Sequence, residues 1–196
     1  MGRTMNEISA INNEANAGGP SEAPAPMPHH IEAEQQLLGA ILTNNDVFDR
    51  IAAIINETHF YEPVHARIFE IAASRITKNA LASPVTLKAF MEDDEGLKEL
   101  GGPAYLARLA GAAISSFAAR DYAQMIYDLS IRRDLIRLGG DISAKAAKVD
   151  VSNEPREQIV EAEQALYTLG EQGQTNTGFQ SFLKAVTDAV SVANAA

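Results

Sequence analysis

An all-α fold is predicted for this chain: a compact helical globule, then a long antiparallel helical hairpin, then a linker helix. Three observations predict it. Apolar residues recur at spacings of three and four along most of the chain, which is the period of a helix with one buried face. No run alternates apolar and polar residues as a half-buried strand does. The apolar residues, 46% of the total, include few aromatics and no Trp, so the core is mostly Ala, Leu, Ile and Val, of which Ala and Leu favour helix. The length suits one domain with extensions.

The boundaries expected are a tail over 1–28, a globular subdomain over 29–115, a hairpin over 116–171 and a linker with an amphipathic helix over 172–196. The tail lacks the apolar stretch of a signal peptide. It is rich in Asn, Ala, Gly and Pro, with Pro24, Pro26 and Pro28 close together, and is expected to be disordered. The first helix starts near Ile31, with Ile31, Glu34/Gln35 and Leu38 at helical spacing. Thr43-Asn44-Asn45-Asp46 breaks it and offers Asp46 as the next cap. Val47, Phe48, Ile51, Ile54 and Ile55 form a second apolar face. Phe60-Tyr61-Glu62-Pro63 opens a third helix, with Pro63 in the tolerated first turn, buried through Ile68, Phe69, Ile71 and Ala72. Thr86 is expected to cap a short helix through Leu87, Phe90 and Met91. Glu92-Asp93-Asp94-Glu95-Gly96 is an acidic stop, and Leu97 to Leu100 one more turn. After Gly101-Gly102-Pro103 a helix buries Tyr105, Leu106 and Leu109. Ser115-Ser116 reads as a cap. Phe117 to about Val149 contains no Pro, and its only glycines are Gly139-Gly140; it reads as one long helix, with a kink expected at the pair. Glu154-Pro155 opens a second long helix to about Glu171, which completes an antiparallel pair.

The hairpin pattern predicts association. Ile131, Leu135, Leu138 and Ile142 form one stripe, and Tyr122, Ile126, Leu129 and Ile136 lie outside it. The second arm offers the narrower stripe Ile159, Ala162, Leu166 and Leu169, and one narrow face cannot cover two. Each large apolar side chain buried is worth about 1.5–3 kcal/mol, so an uncovered face marks an interface. Tyr122, Ile126, Leu129, Ile131, Leu135, Leu138, Ile159, Leu166 and Leu169 are the self-association candidates. The competing reading packs this face on the chain's own globule. Phe179, Phe182, Leu183, Val186 and Val190 mark the last amphipathic helix, which either folds back or docks on another domain or subunit.

Composition excludes several function classes. The net charge is −10, and the short basic clusters, such as Arg132-Arg133, do not make a phosphate-neutralising groove. Tight nucleic-acid binding by this chain is therefore not expected, and a protein partner fits better. No stretch is apolar and long enough to span a bilayer. The absence of cysteine removes disulfides and thiolate metal sites and fits a reducing cytoplasm. None of the six lysines follows a Gly, so no phosphate-binding Gly-x-x-x-x-Gly-Lys-Ser/Thr loop exists.

Four histidines remain. His29 and His30 read as a solvent-facing or capping pair at the start of the first helix. His59 and His65 flank Phe60-Tyr61-Glu62-Pro63 and are expected to fix that loop to the third helix by hydrogen bonds. The alternative is a small helical metal-dependent hydrolase using His59, Glu62 and His65; a generic helical adaptor is a third reading. Glu32 and Glu34, in the first turn of a helix, are explained by its dipole.

Four fragments carry a resemblance. Pro28 to Leu42 resembles the opening of the N-terminal domain of DnaB-family replicative DNA helicases. Phe60-Tyr61-x-Pro63-x-His65-x-x-Ile68-Phe69 is similar to a second family signature, and Gly101-Gly102-x-Ala104-Tyr105-Leu106-x-x-Leu109 to a third. Tyr122-Ala123-x-x-Ile126 with Arg132-Arg133-x-Leu135-Ile136 looks like the start of the family's hairpin. The four stand in order over about residues 28–170, and Phe179 to Ala196 looks like the linker helix that leads to an ATPase domain.

The resemblance implies a non-catalytic scaffold, with ATP and Mg belonging to the longer parent only and no cofactor or metal in this chain. It implies homodimers through the hairpins, a hexameric collar of three such pairs, docking of a DnaG-type primase, a helicase loader as a further partner, and a cytoplasmic location. By motif position, Glu32, Tyr105, Ile136 and Ile142 are the primase-binding candidates. Phe179, Phe182, Leu183, Val186 and Val190 would dock on a neighbouring motor domain.

Overall fold

The computed structural model describes residues 26–148 and 154–174. Within them lie eight α-helices, one short 3-10 turn and no strand. The tail before Pro26 and the candidates Phe179, Phe182, Leu183, Val186 and Val190 lie outside the described residues.

Helix α1 (Ile31–Thr43) is the centre of the globule. His30 caps it, its Nδ1 accepting from the Ala33 amide at 3.0 Å. Ala33, Leu37, Leu38, Gly39, Ala40, Ile41 and Leu42 are all buried, as expected for a helix packed on several sides. Helix α2 (Asp46–Ile51) and the turn after it bury Val47, Ile51, Ile54 and Ile55. The 3-10 turn Glu57–His59 leads to α3 (Pro63–Thr77), which starts with Pro63 at its first position and buries Ile68, Phe69, Ile71 and Ala72. Short α4 (Pro84–Lys88) and α5 (Glu95–Glu99) follow. Gly101 and Gly102 then turn the chain at φ 102° and 66°, values that glycine adopts without steric cost, into α6 (Pro103–Gly111). The hairpin arms are α7 (Ala119–Ala146) and α8 (Pro155–Gln174). No described helix is long and apolar enough to cross a membrane.

Local details correct the sequence reading. Ser83, not Thr86, is the cap of α4; the two side chains bond reciprocally to each other's amides, with Pro84 at the first helical position. Asp46 is the first residue of α2 and not its cap; its amide donates to Asn44 Oδ1. Asn45 instead spends its side chain on the Ile41 carbonyl and on both backbone groups of Ala82, tying α1 to the loop before α4. Ser115 and Ser116 do not cap α7, which starts after Ala118 without a side-chain cap. Gly139-Gly140 does not end α7: the helix runs through both, about 42 Å in all at 1.5 Å per residue.

A polar chain runs through the core. Glu34 is buried and is not a surface helix-dipole acid. Its Oε1 accepts from the Tyr61 amide at 2.6 Å, and its Oε2 lies 3.3 Å from the Glu62 amide and 2.7 Å from His65 Nδ1. A carboxylate only accepts, so Nδ1 of His65 donates. His65 Nε2 meets the Tyr105 hydroxyl at 2.6 Å, and that hydroxyl accepts from Gln35 Nε2 at 3.1 Å. Burial pushes the Tyr105 phenol above its usual pKa, against a smaller opposing effect of Gln35. The network joins α1, the entry of α3 and α6. No buried side-chain nitrogen or oxygen among the described residues lacks a partner, as the cost of stranding one requires.

A second polar pin holds α7. Arg133 is buried; its guanidinium donates to the carbonyls of Pro28 at 2.9 Å and His59 at 2.6 Å and lies 5.7 Å from the centre of the Tyr61 ring. Tyr61 stacks on His29 at 4.2 Å. His59 closes its own turn, its Nδ1 accepting from the Asn56 amide, and meets Tyr127 edge-on. With Ala119, Ala123, Ile126, Tyr127 and Ser130 also buried, the first half of α7 is part of the globule.

Glu34→Ala strands the two amides and His65, and should cost about 3–5 kcal/mol, read from urea unfolding, whereas exposed Glu32→Ala should stay within about 0.5 kcal/mol. A Cβ on Gly39 would collide with the Leu109 carbonyl oxygen where α1 crosses α6, whereas Gly139 and Gly140 face open space. Gly39→Ala should therefore cost about 1–3 kcal/mol or more, and Gly139→Ala or Gly140→Ala should add up to about 1 kcal/mol in thermal melts. Burial pushes the His59 pKa below the usual histidine value; Asp134 and Glu57 oppose this and Arg133 adds to it. The unfolded chain then binds the proton more tightly, so stability falls as pH drops through about 6.5 and the loss saturates below the depressed folded value. Urea midpoints measured from about pH 8 to 5 should show this extra acid slope in the native chain and lose it in His59→Asn.

Candidate docking surface on the helical hairpin

The hairpin surface is built from the outer half of α7 and the whole of α8. The arms run antiparallel: Lys145 near the end of α7 pairs with Glu161 early in α8 at 2.8 Å, while Ile131 and Asp134 share a pocket of about 530 Å³ with Thr168 and Glu171. Between the arms a groove of about 660 Å³ is lined by Leu138, Ile142, Ile159, Ala162 and Ala165 among others. Its apolar width follows from the sequence. On α8, small Ala162 and Ala165 line the groove with Leu138 and Ile142 of α7, so the two arms do not seal against each other.

Much apolar surface is left open. Leu135 is 47% exposed, Ile136 49%, Ile142 37%, Ile159 58% and Leu166 48%. Val160 and Tyr167 are exposed as well. Leu129, Leu138 and Leu169 are half-buried. Tyr122 and Ile131 are partly buried against the globule's core. Ile126 is only 2% exposed, so it belongs to the core and is removed from the self-association candidates; the globule covers the stripe that carries it.

The primase-binding candidates divide in the same way. Ile136 and Ile142 stand on the open hairpin. Glu32 is at the surface, hydrogen-bonded to Gln36 at 2.9 Å. Tyr105 is buried at 5% exposure and committed to His65, so it supports the fold beneath the surface and is not itself a contact.

The metal alternative does not assemble. Both ring nitrogens of His65 are engaged by Glu34 and Tyr105, and His59 Nδ1 is used inside its own turn. No group of three or more His, Cys, Asp or Glu side chains among the described residues is arranged to hold a metal. The loop is fixed by Glu34 through the Tyr61 and Glu62 amides, and His65 reaches across to α1 and α6. Two residues that matter most were missed as core. Each carried a signal: Glu34 lies three residues from Ile31 and Leu37, and Arg133 lies seven residues after Ile126 and three after Ser130, on the buried stripe.

Known proteins match the chain over most of its length. The family model described as the DnaB-like helicase N terminal domain matches residues 26–128. The replicative DNA helicase DnaB of Rickettsia conorii is 36% identical over 191 residues, which cover 95% of this chain and 38% of the relative. That of Rickettsia felis is 36% identical, over 86% of this chain and 35% of the relative. The chain thus spans rather more than a third of the length of the curated relatives it matches. Among solved structures, the N-terminal domain of DnaB helicase from Mycobacterium tuberculosis superposes with a TM-score of 0.66 at 22% identity, over 73% of this chain and 99% of that one. A DnaB-like replicative helicase, in a structure concerned with its interactions with primase, gives a TM-score of 0.55 at 22% identity, over 83% of this chain and 35% of that one. At that identity the two structures establish the fold, and the family match spans more than half of the sequence: this chain belongs to the DnaB-like helicase N-terminal domain family.

Proposed function

We propose that this chain is the non-catalytic scaffold of a replicative helicase, assembling copies through its hairpin and docking a DnaG-type primase beside them. The observation that supports it is the apolar face of α7 and α8 left open by the single copy, from Leu135 and Ile136 to Ile159 and Leu166. Leu135, Ile159 and Leu166, each worth about 1.5–3 kcal/mol when buried, contribute from both copies on pairing and offset the entropy cost of association. The hairpins pair first and three pairs form the collar of the parent hexamer. The primase reaches the remaining hairpin surface at Ile136 and Ile142, with Glu32 at its edge. The relatives' name places them in DNA replication, and the function is accordingly cytoplasmic. ATP and Mg are used by the rest of the parent, and a loader that opens its ring is a further partner.

The test separates the two roles. Leu135→Asp with Ile159→Asp should shift the chain to a monomer in analytical ultracentrifugation with helicity unchanged by circular dichroism. Ile136→Asp should weaken binding of a primase C-terminal domain at least tenfold, about 1.4 kcal/mol, in calorimetry. A native chain that stays monomeric at high concentration, or a primase affinity untouched in Ile136→Asp, overturns the corresponding role.

A further inference from the structure

Away from the hairpin, the far end of α3 carries a second open surface of different character. A groove of about 320 Å³ has Ile71, Ala80 and Phe90 as its apolar lining and Arg67, Arg75 and Lys78 as its bases. Arg75 shapes it: its Nε donates to the Leu81 carbonyl at 2.8 Å, and its guanidinium lies 5.0 Å from the centre of the Phe90 ring. Leu81 and Phe90 are each more than half exposed beside it. Arg67 is paired with Glu70 at 2.6 Å, and Lys78 donates to the Ser74 hydroxyl at 3.2 Å. Against Glu70 stand three bases, a positive patch on a chain of net charge −10.

We infer that this groove is the docking site of the chain's own N-terminal segment Glu7-Ile8-Ser9-Ala10-Ile11-Asn12-Asn13-Glu14. Three acids and one base lie in residues 1–25, so the tail's charge complements the patch. The sequence sets two apolar residues, Ile8 and Ile11, between two carboxylates, Glu7 and Glu14, the complement of a groove with an apolar lining and basic flanks. The tether allows it. The chain enters the described structure beside the start of α3, where His29 stacks on Tyr61. The 12 residues from Glu14 to Pro26 span up to about 40 Å, and α3 is about 22 Å long. Because it is part of the same chain, the segment is presented at a high effective concentration, so a weak site fills. The C-terminal segment is the poorer occupant, because its Lys184 and Asp188 cancel.

The chain has no cysteine, so Asn13→Cys in the full chain takes a single nitroxide label. Paramagnetic broadening in a nitrogen-15 NMR spectrum should fall on the amides of Ile71, Lys78, Ala80 and Phe90. It should disappear in Lys78→Glu and, without any risk to the core, in Glu7→Lys with Glu14→Lys. Broadening spread evenly over the surface, or centred on the hairpin, overturns the assignment. So does broadening that appears only when labelled chains that carry no nitrogen-15 are mixed with nitrogen-15 chains, which would make a second copy the host.

Discussion

The globule depends on one buried carboxylate. Glu34 cannot be taken from water without compensation, and the three donors that supply it come from a single place, the entry of α3. That requirement fixes α3 against α1 in register and in angle, because bonds near 2.7 Å tolerate little displacement. His65 then passes the constraint to Tyr105 on α6. A purely apolar contact between these helices could slide; a satisfied polar chain in low dielectric cannot without stranding a group.

Arg133 performs the same service for the hairpin. Its two carbonyl partners, Pro28 and His59, belong to the stretch before α1 and the turn before α3, so the long helix is locked at its middle to both. One helix therefore serves two environments. Its first half is core, and its second half stands in solvent with α8 as a projecting arm. The exposed half is thus carried on a base that the globule holds in place.

Much of the fold was legible. Pro63, Pro103 and Pro155 begin helices where a missing amide costs nothing, and Gly101-Gly102 turns the chain where side chains would be strained. The buried rows of α3 and α6 followed the apolar period. The errors were of one kind. Ser83 and Thr86 both satisfy the rule for a cap, and the extended backbone ahead of Pro84 decided between them. Glu34 was read by residue type, as an acid at a helix start, and Arg133 only as half of a short basic pair, although their spacing placed both on buried stripes. Ile126 and Tyr105 were read as available contacts, although each faces the interior.

What the amino-acid sequence determined by itself was periodic and local: the helices, most of their ends, the excess of apolar surface on the hairpin, and the ordered motifs that mark the family. What only the tertiary structure decided was which stripe meets which neighbour. Helical spacing tells that residues share a face and leaves open what that face touches. Burial, and with it the pairing of Glu34, His65, Tyr105 and Arg133, depends on groups 27 to 105 residues away that come into range only when the helices pack.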